Sequence, residues 1–494
     1  MNKKQILLSI LILLPLLLFP QDGVLDNSFH ENGIVTTDFY NHRDLGMAVA
    51  QQNDGKIVAS GSADDSDNNT YHALVRYEID GALDTSFGEE GKVTTYLQGS
   101  YLDRYNSILF QGDNKIIASG SVGDYAHPNF LITRYLPNGD LDASFWENGV
   151  VVTTIYGDDD MISTKLLDDG KIIAGGFSKN GDDYFVTLVR YLTNGDLDQS
   201  FGNNGIKTTY LGEGGRVFKI TILNNGKILI GAKKRNNNLI NFVFLRYSSN
   251  GLLDTSFGDN GIVTTNLLGD SYGSFSVRSN GKIVVSIREN QFNEPILAQF
   301  HPDGSPDLSF GENGEITINS TPYFIPLNVL IQEDEKILVQ GNIYGFEGGE
   351  FRLQRFNSNG SSDSSFGNNG VVMLGFESSD ILFQTDGKIL AVGNTLWFNG
   401  YVDFTVVRYH NSILSNPEQF LNRAKIYPNP SNGIFNINHD GITSETPYQI
   451  TDITGKVIQT GKLSGEQTEV NLSTVQSGMY LLTASGSTFR LIKK

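Results

Sequence analysis

Two acidic clusters are the residues of this 494-residue chain best suited to chemistry. Asp64, Asp65 and Asp67 stand together, and Asp158, Asp159 and Asp160 are consecutive. Grouped carboxylates supply the hard oxygen ligands that Ca²⁺ takes. Asp65, Asp67 and Asn69 open like an EF-hand loop. Thr70 then stands where the sixth-position glycine belongs, and Arg76 where the final glutamate belongs. The six aspartates are therefore weak calcium candidates, set against the plainer expectation of solvated loop acid. Catalytic patterns are missing. There is no cysteine, hence no disulfide, thiolate metal site or cysteine nucleophile. The seven histidines read as scattered loop residues, and no two stand at metal-ligand spacing. Gly269-Asp270-Ser271-Tyr272-Gly273 matches Gly-x-Ser-x-Gly, but a strand rather than a helix is expected after it. Gly55-Lys56 and Gly170-Lys171 fall in hairpin turns and cannot cradle phosphate. The expectation is a protein with no catalytic residues and no cofactor.

The elements that position these groups come from a repeat. Ser-Phe recurs seven times, at Phe29, Phe87, Phe145, Phe201, Phe257, Phe310 and Phe366. An aspartate lies three positions before each Phe and a glycine four positions after it, as in Asp84 and Gly91. Asp54-Gly55-Lys56-Ile57 recurs in register, and so does Arg76-Tyr77 or a close variant such as Gln299-Phe300. In the first unit, Met47–Gln51 turns at Asp54-Gly55 into Lys56–Ser60, and Ala73–Tyr77 and Lys92–Thr95 follow. Four strands per unit, seven times over, predict an all-β fold, a seven-bladed β-propeller across residues 24–410. Asp and Ser should lock the turn, and Phe should fill the gap between blades. The chain opens with a lone strand and its last unit lacks one. Ile34–Thr37 should therefore pair with Phe404–Tyr409 and hide the open edge. The loops before each first strand and between strands two and three then share one face. Gly61–Tyr71, Tyr156–Asp160, Lys233–Leu239 and Thr395–Tyr401 differ in sequence, which makes that face the candidate binding face.

Residues 1–20 read as a signal peptide. Lys3 and Lys4 precede an apolar run from Ile6 to Phe19, shorter than the ~20 residues a spanning helix needs. No membrane-spanning segment is expected in the mature chain. Residues 411–424 read as a linker. Several short strands follow over residues 425–494 and predict a small β-sandwich domain. The formal net charge of −19 opposes nucleic-acid binding.

The tail carries Tyr427-Pro428-Asn429-Pro430 with Gly433, then Asp452-Ile453-Thr454-Gly455, Gly478-Met479-Tyr480 and the basic end Lys493-Lys494. These blocks resemble the type A sorting domain of type IX secretion. The resemblance implies the type IX machinery as partner, passage through the periplasm, and a secreted or cell-surface product. The Leu-Asp-x-Ser-Phe-Gly and Asp-Gly-Lys-Ile blocks are similar to the delta-60 repeat family, which implies architecture and no single activity. The expected function is a binding or adhesion module for a protein or glycan. The alternatives are an extracellular carbohydrate-active enzyme working in the propeller channel, and a structural surface-layer protein.

Overall fold

Apolar runs of period two, bounded by Asp-Gly and Leu-Asp-x-Ser-Phe turns, fold most economically as four-stranded antiparallel meanders. The computed structural model shows this unit seven times. It describes residues 21–494 except 98–103, 125–126, 214, 237–238, 269–271, 289–293, 320–323, 346–347, 396–401, 412–424, 439–445, 453–455, 464–466 and 485–486. The expected signal peptide, most of the expected linker, the first three residues of the Gly-x-Ser-x-Gly match and Gly455 lie outside the described residues. Among the described residues no helix is long and apolar enough to cross a membrane.

Blade 1 consists of Asp44–Gln51, Ile57–Asp64, Thr70–Tyr77 and Lys92–Thr95, paired in that order. The first strands of successive blades touch one another in a closed cycle around the axis. Six of these seven strands carry a register shift at the same place, as between Gly46 and Ala48. Blade 5 lacks it; its first strand, Gly273–Val277, is also shorter. Blade 7 takes Phe376–Phe383, Ile389–Thr395 and Phe404–Tyr409 from the end of the propeller and its outer strand, Ile34–Thr37, from the start. The register runs from Ile34 opposite Val407 to Thr37 opposite Phe404, as the strand count required.

The repeated Phe is a wedge between blades. Phe87 is wholly buried and packs with Ala48, Val58 and Leu74 of blade 1 and with Ile116 and Tyr135 of blade 2. Its turn is held by Asp84, whose Oδ1 accepts the Ser86 hydroxyl (2.6 Å) and N–H (3.1 Å). Asp84 Oδ2 accepts Arg76 Nε at 2.6 Å and Lys56 Nζ at 2.8 Å. The Arg76 guanidinium lies 4.5 Å over the Phe87 ring and donates to Pro137 O of the next blade. One aspartate thus ties two turns of its blade together, and its arginine ties that blade to the next. In blade 5 Gln299 replaces the arginine, and Arg278 fills the space. Arg278 Nε donates to Gln299 Oε1 (2.7 Å), Gln299 Nε2 donates to Asp307 Oδ2 (2.6 Å), and Arg278 reaches Ser358 O of blade 6 (2.8 Å).

Two expectations change. The strands are longer than their sequence pattern suggests. Ile57–Asp64 and Thr70–Tyr77 extend into the expected loop Gly61–Tyr71, and Ile228–Asn236 and Leu239–Tyr247 shrink the next one. Asp64, Asp159 and Asp160 accordingly lie in strands rather than loops. Ladder hydrogen bonds continue to the blade tip because a polar strand end is as easily paired as an apolar one. The histidines are not all loop residues either. His72 is fully buried in blade 1, 4.6 Å from the Tyr105 ring.

These buried groups set an acid limit. Desolvation raises the Asp26 carboxyl, but the Ser28 hydroxyl and N–H, Arg408 and Lys388 outweigh it and hold the pKa at about 2. Asp142 is likewise held at about 2 against desolvation, by Ser144, Lys115 and Arg134. Burial pushes His72 down to about 3. All three bind protons more weakly folded than unfolded, so each stabilises the fold above its unfolded pKa and loses that contribution as pH falls. His72 should begin to cost stability below pH ~6.5, on the order of 4 kcal/mol by pH 3, and the aspartates should act below pH ~4. Asp44, whose folded pKa burial raises to about 8, gains stability over the same fall in pH and offsets the His72 loss. Urea titrations at pH 7, 5 and 3 should therefore show the His72 term as a difference: the His72→Gln midpoint should rise relative to wild type as pH falls from 7 to 3.

The tail forms a three-stranded sheet of Lys425–Tyr427, Ile434–Asn438 and Gln467–Asn471. It also forms a four-stranded sheet of Thr446–Asp452, Val457–Leu463, Gly478–Ala484 and Ser487–Lys493. Phe435, Ile437, Ile450, Leu482 and Leu491 are buried between them.

Candidate binding face and axis

Each fourth strand ends, and each third strand begins, on the face of the propeller opposite the Asp-Arg locks. Aromatic side chains gather there in two equivalent ladders. In blade 1 the rings of Tyr40 and Tyr71 are 5.3 Å apart, and those of Tyr71 and Tyr96 are 5.1 Å apart. In blade 3 Tyr156 and Phe185 are 5.2 Å apart, and Phe185 and Tyr210 are 5.6 Å apart. The positions correspond. Tyr40 and Tyr156 each follow the outer strand of the preceding blade by three residues, and Tyr71 and Phe185 each stand six before the buried tyrosine of their blade. The outer rungs are open to solvent, with Tyr96 45% and Tyr210 55% exposed. Tyr272 and Tyr344 add two more exposed rings on this face.

The six candidate calcium ligands do not converge. Asp65 spends its carboxylate on its own loop, accepting the Asp67 and Asn69 N–H groups at 2.9 Å and the Tyr71 hydroxyl at 3.0 Å. Asp64 pairs with Arg43 at 2.9 Å and accepts Thr70 Oγ1 at 2.8 Å. Asp67 stands in the turn that Asp65 caps. Asp159 accepts backbone N–H groups of Ile155, Tyr156 and Gly157. Asp160 accepts Ser121 Oγ at 2.7 Å, while Asp158 faces Lys179 at 3.8 Å.

A charged cluster at the axis has no counterpart in the sequence motifs. Lys219 stands immediately after the register shift of its first strand, as Asp380 does in blade 7. Lys219 Nζ reaches across to Val329 O of blade 6 at 3.3 Å. Asp380 accepts the N–H groups of Val49 (3.3 Å) and Ile381 (2.9 Å) and feels both Lys219 and Lys165. Burial pushes Asp380 up, Lys165 down and Lys219 down to about 8. The axis therefore brings one carboxylate against two amines.

The sorting motif closes the last strand of the tail. Asn429 donates to Arg490 O (2.7 Å) and accepts the Ile492 N–H (2.9 Å). Lys493 Nζ is buried against the Ser473 and Val475 carbonyls. Gly433 has φ +123°, and a Cβ there would stand 2.7 Å from Ser473 Cα. Tyr480 donates to Gln476 O at 2.7 Å. Asp452 accepts the Lys456 N–H at 3.1 Å. Tyr427 is exposed, and a Cβ on Gly478 would meet open space.

The family described as the secretion system C-terminal sorting domain matches residues 425–494. The DUF5122 β-propeller, a domain of unknown function, matches seven segments: 52–87, 111–145, 167–201, 223–257, 278–310, 332–366 and 384–412. No curated protein matches the chain. Among solved structures it is similar to PorZ of Porphyromonas gingivalis, an essential bacterial surface component of the type-IX secretion system. That match has 13% identity and a TM-score of 0.42, covering 94% of this chain and 61% of PorZ. The chain thus spans less than two thirds of PorZ. The polysaccharide lyase Uly1 is 12% identical with a TM-score of 0.45, covering 79% of this chain and 96% of the lyase. The PQQ-bound aldose sugar dehydrogenase of Streptomyces coelicolor is 9% identical with a TM-score of 0.36, covering 76% and 98%. Seven matched segments coincide with seven blades, and the tail match takes in both sheets of the terminal domain. The chain belongs to the DUF5122 β-propeller proteins and ends in a type IX secretion sorting domain, which sends it to the cell surface or the medium.

Proposed function

We propose that the exported propeller is a binding module whose tyrosine-bearing face takes extended glycans. The two equivalent ring ladders carry this reading. A flat ring presents an apolar face to the axial C–H groups of a pyranose, and its hydroxyl hydrogen-bonds the sugar's rim. Tyrosine does this at low conformational cost, having two side-chain torsions to fix. Two ladders on alternate blades of one rigid disc suit a polymer that can touch both at once, so their affinities multiply through effective concentration. In this reading the propeller binds without catalysis. A glycosidase needs two carboxyl groups roughly 5–10 Å apart, whereas Asp380 at the axis faces two lysines.

Affinity electrophoresis of the mature chain in gels containing xylan, mannan, alginate or chitin derivatives tests this. At least one polysaccharide should retard the wild type. Tyr96→Ala and Tyr210→Ala should each weaken that retardation by about tenfold, the effect of ~1.4 kcal/mol, and together by more. Their melting temperatures should stay near wild type, because both side chains are exposed. Unchanged retardation in the double variant, or none with any polysaccharide, overturns the proposal.

A further inference from the structure

We propose that the propeller ring is clasped shut by a divalent cation of the calcium type, held by Asp38, Asp44 and Asp403. One carboxylate oxygen from each lies within 4.8 Å of the others. Asp38 follows the closure strand directly, Asp44 begins the first strand of blade 1, and Asp403 precedes the blade 7 strand that receives the closure strand. The site therefore sits where the two ends of the propeller meet. The backbones are already joined there, since Asp44 N donates to Val402 O at 2.7 Å.

A second observation points to a ligand. Asp44 is wholly buried. Its Oδ2 accepts the Phe39 N–H at 2.8 Å, but its Oδ1 is buried with no hydrogen-bond partner among the described residues. An unmatched buried carboxylate oxygen is costly unless a cation or a proton meets it. The neighbouring side-chain cations are engaged elsewhere: Arg43 is turned to Asp64 at 2.9 Å, and Lys92 Nζ donates to the Asp38 carbonyl at 3.2 Å. Burial above all, with Asp38, Asp403 and Asp64 adding repulsion against the pull of the Phe39 N–H, raises the Asp44 pKa to about 8.

The repeat supplies an internal control. In the seam between blades 2 and 3, Thr154, Asp159 and Asn129 occupy the places of Asp38, Asp44 and Asp403. There Thr154 Oγ1 donates to Asn129 Oδ1 at 2.6 Å, and Asp159 is satisfied by three loop N–H groups. That seam is neutral at its rim and complete. The closure seam replaces the neutral pair with two acids and leaves its buried aspartate short of donors. An all-oxygen, three-carboxylate set suits a hard cation with water filling the remaining positions, and disfavours zinc or copper.

The test is calorimetric titration of CaCl₂ into the full-length exported chain after EDTA dialysis. The expected result is one site of about 10⁻⁴ M, the strength of extracellular calcium modules. Saturation should raise the melting temperature by about 2–5 °C. Asp403→Asn and Asp44→Asn should each weaken binding at least tenfold, and Asp403, being only partly buried, keeps the test open if the Asp44 variant does not fold. Asp65→Asn and Asp158→Asn should leave it unchanged. Absence of calcium heat and of a thermal shift overturns the proposal. So does binding that survives Asp403→Asn and is lost in Asp65→Asn or Asp158→Asn.

Discussion

A chain lacking residues 21–37 should fail to hold its propeller at 37 °C. The deletion removes three things at once. The outer strand of blade 7 goes, together with its four-residue register against Phe404–Val407. The Phe29 wedge goes from a cluster that joins Val49 and Tyr77 of blade 1 to Leu390 and Val406 of blade 7. The Asp26 lock goes, leaving the buried Arg408 without the carboxylate 2.8 Å from its Nε. Truncating a buried Phe costs about 3–5 kcal/mol, and stranding a buried ion costs a similar amount. The sum is comparable with the whole stability of a typical domain, about 5–15 kcal/mol. The exposed edge of blade 7 would then invite pairing between chains. Circular dichroism melts and light scattering of the deletion check this. A soluble, cooperative melt within a few degrees of wild type would show that the closure is dispensable.

Breaking one internal lock should have the next largest effect. Asp142→Ala leaves Arg134 Nε without its carboxylate at 2.7 Å and takes from Lys115 one of its two, at 3.1 Å, leaving Asp113 at 3.2 Å. It also releases the Ser144 hydroxyl and N–H that cap the turn. Arg134 is only 6% exposed, so the guanidinium cannot simply turn to water. The expected loss is about 3–5 kcal/mol, read from urea unfolding. Arg134 also donates to Thr193 O of blade 3 at 2.7 Å, so damage should spread to the next blade. Blade 5 offers a cleaner version. Arg278→Gln should destabilise by a similar amount, and Gln299→Arg added to it should recover most of the loss, since the pair would then match blades 1, 2, 6 and 7, which carry Gln52, Gln111, Gln332 and Gln384 there. Independent, additive effects of those two substitutions would refute the compensation.

The locks and the closure explain how a chain with no disulfide keeps a rigid disc after export. Each blade contributes one aspartate that joins its own turns and, in most blades, one arginine that reaches the next. The opposite face is thereby free to vary. Its tyrosines and its acids differ from blade to blade, while the lock face repeats.

Blade number, the four-stranded unit, the wedge phenylalanine and the closing strand were all legible in the sequence. Each follows from local pattern and from counting strands, and neither needs knowledge of what faces what. The tyrosine ladders were half legible. Tyr40 and Tyr156 occupy equivalent repeat positions, and so do Tyr96 and Tyr210, but only the blade twist shows that their rings meet. The lock was written in register as a recurring Asp, Lys and Arg of opposite charge, and their pairing could have been inferred from that recurrence. In the acidic runs that stand out in the sequence, Asp65 and Asp159 prove to be satisfied by their own loops, and Asp64, Asp158 and Asp160 face Arg43, Lys179 and Ser121. The acids that crowd together are Asp38, Asp44 and Asp403, which no motif unites. The same holds for Lys165, Lys219 and Asp380 at the axis. Such groups are brought together by closure of the ring, across separations of up to several hundred residues. Hydrogen-bond supply is local and can be read from a turn, whereas desolvation and facing charge depend on which blades meet.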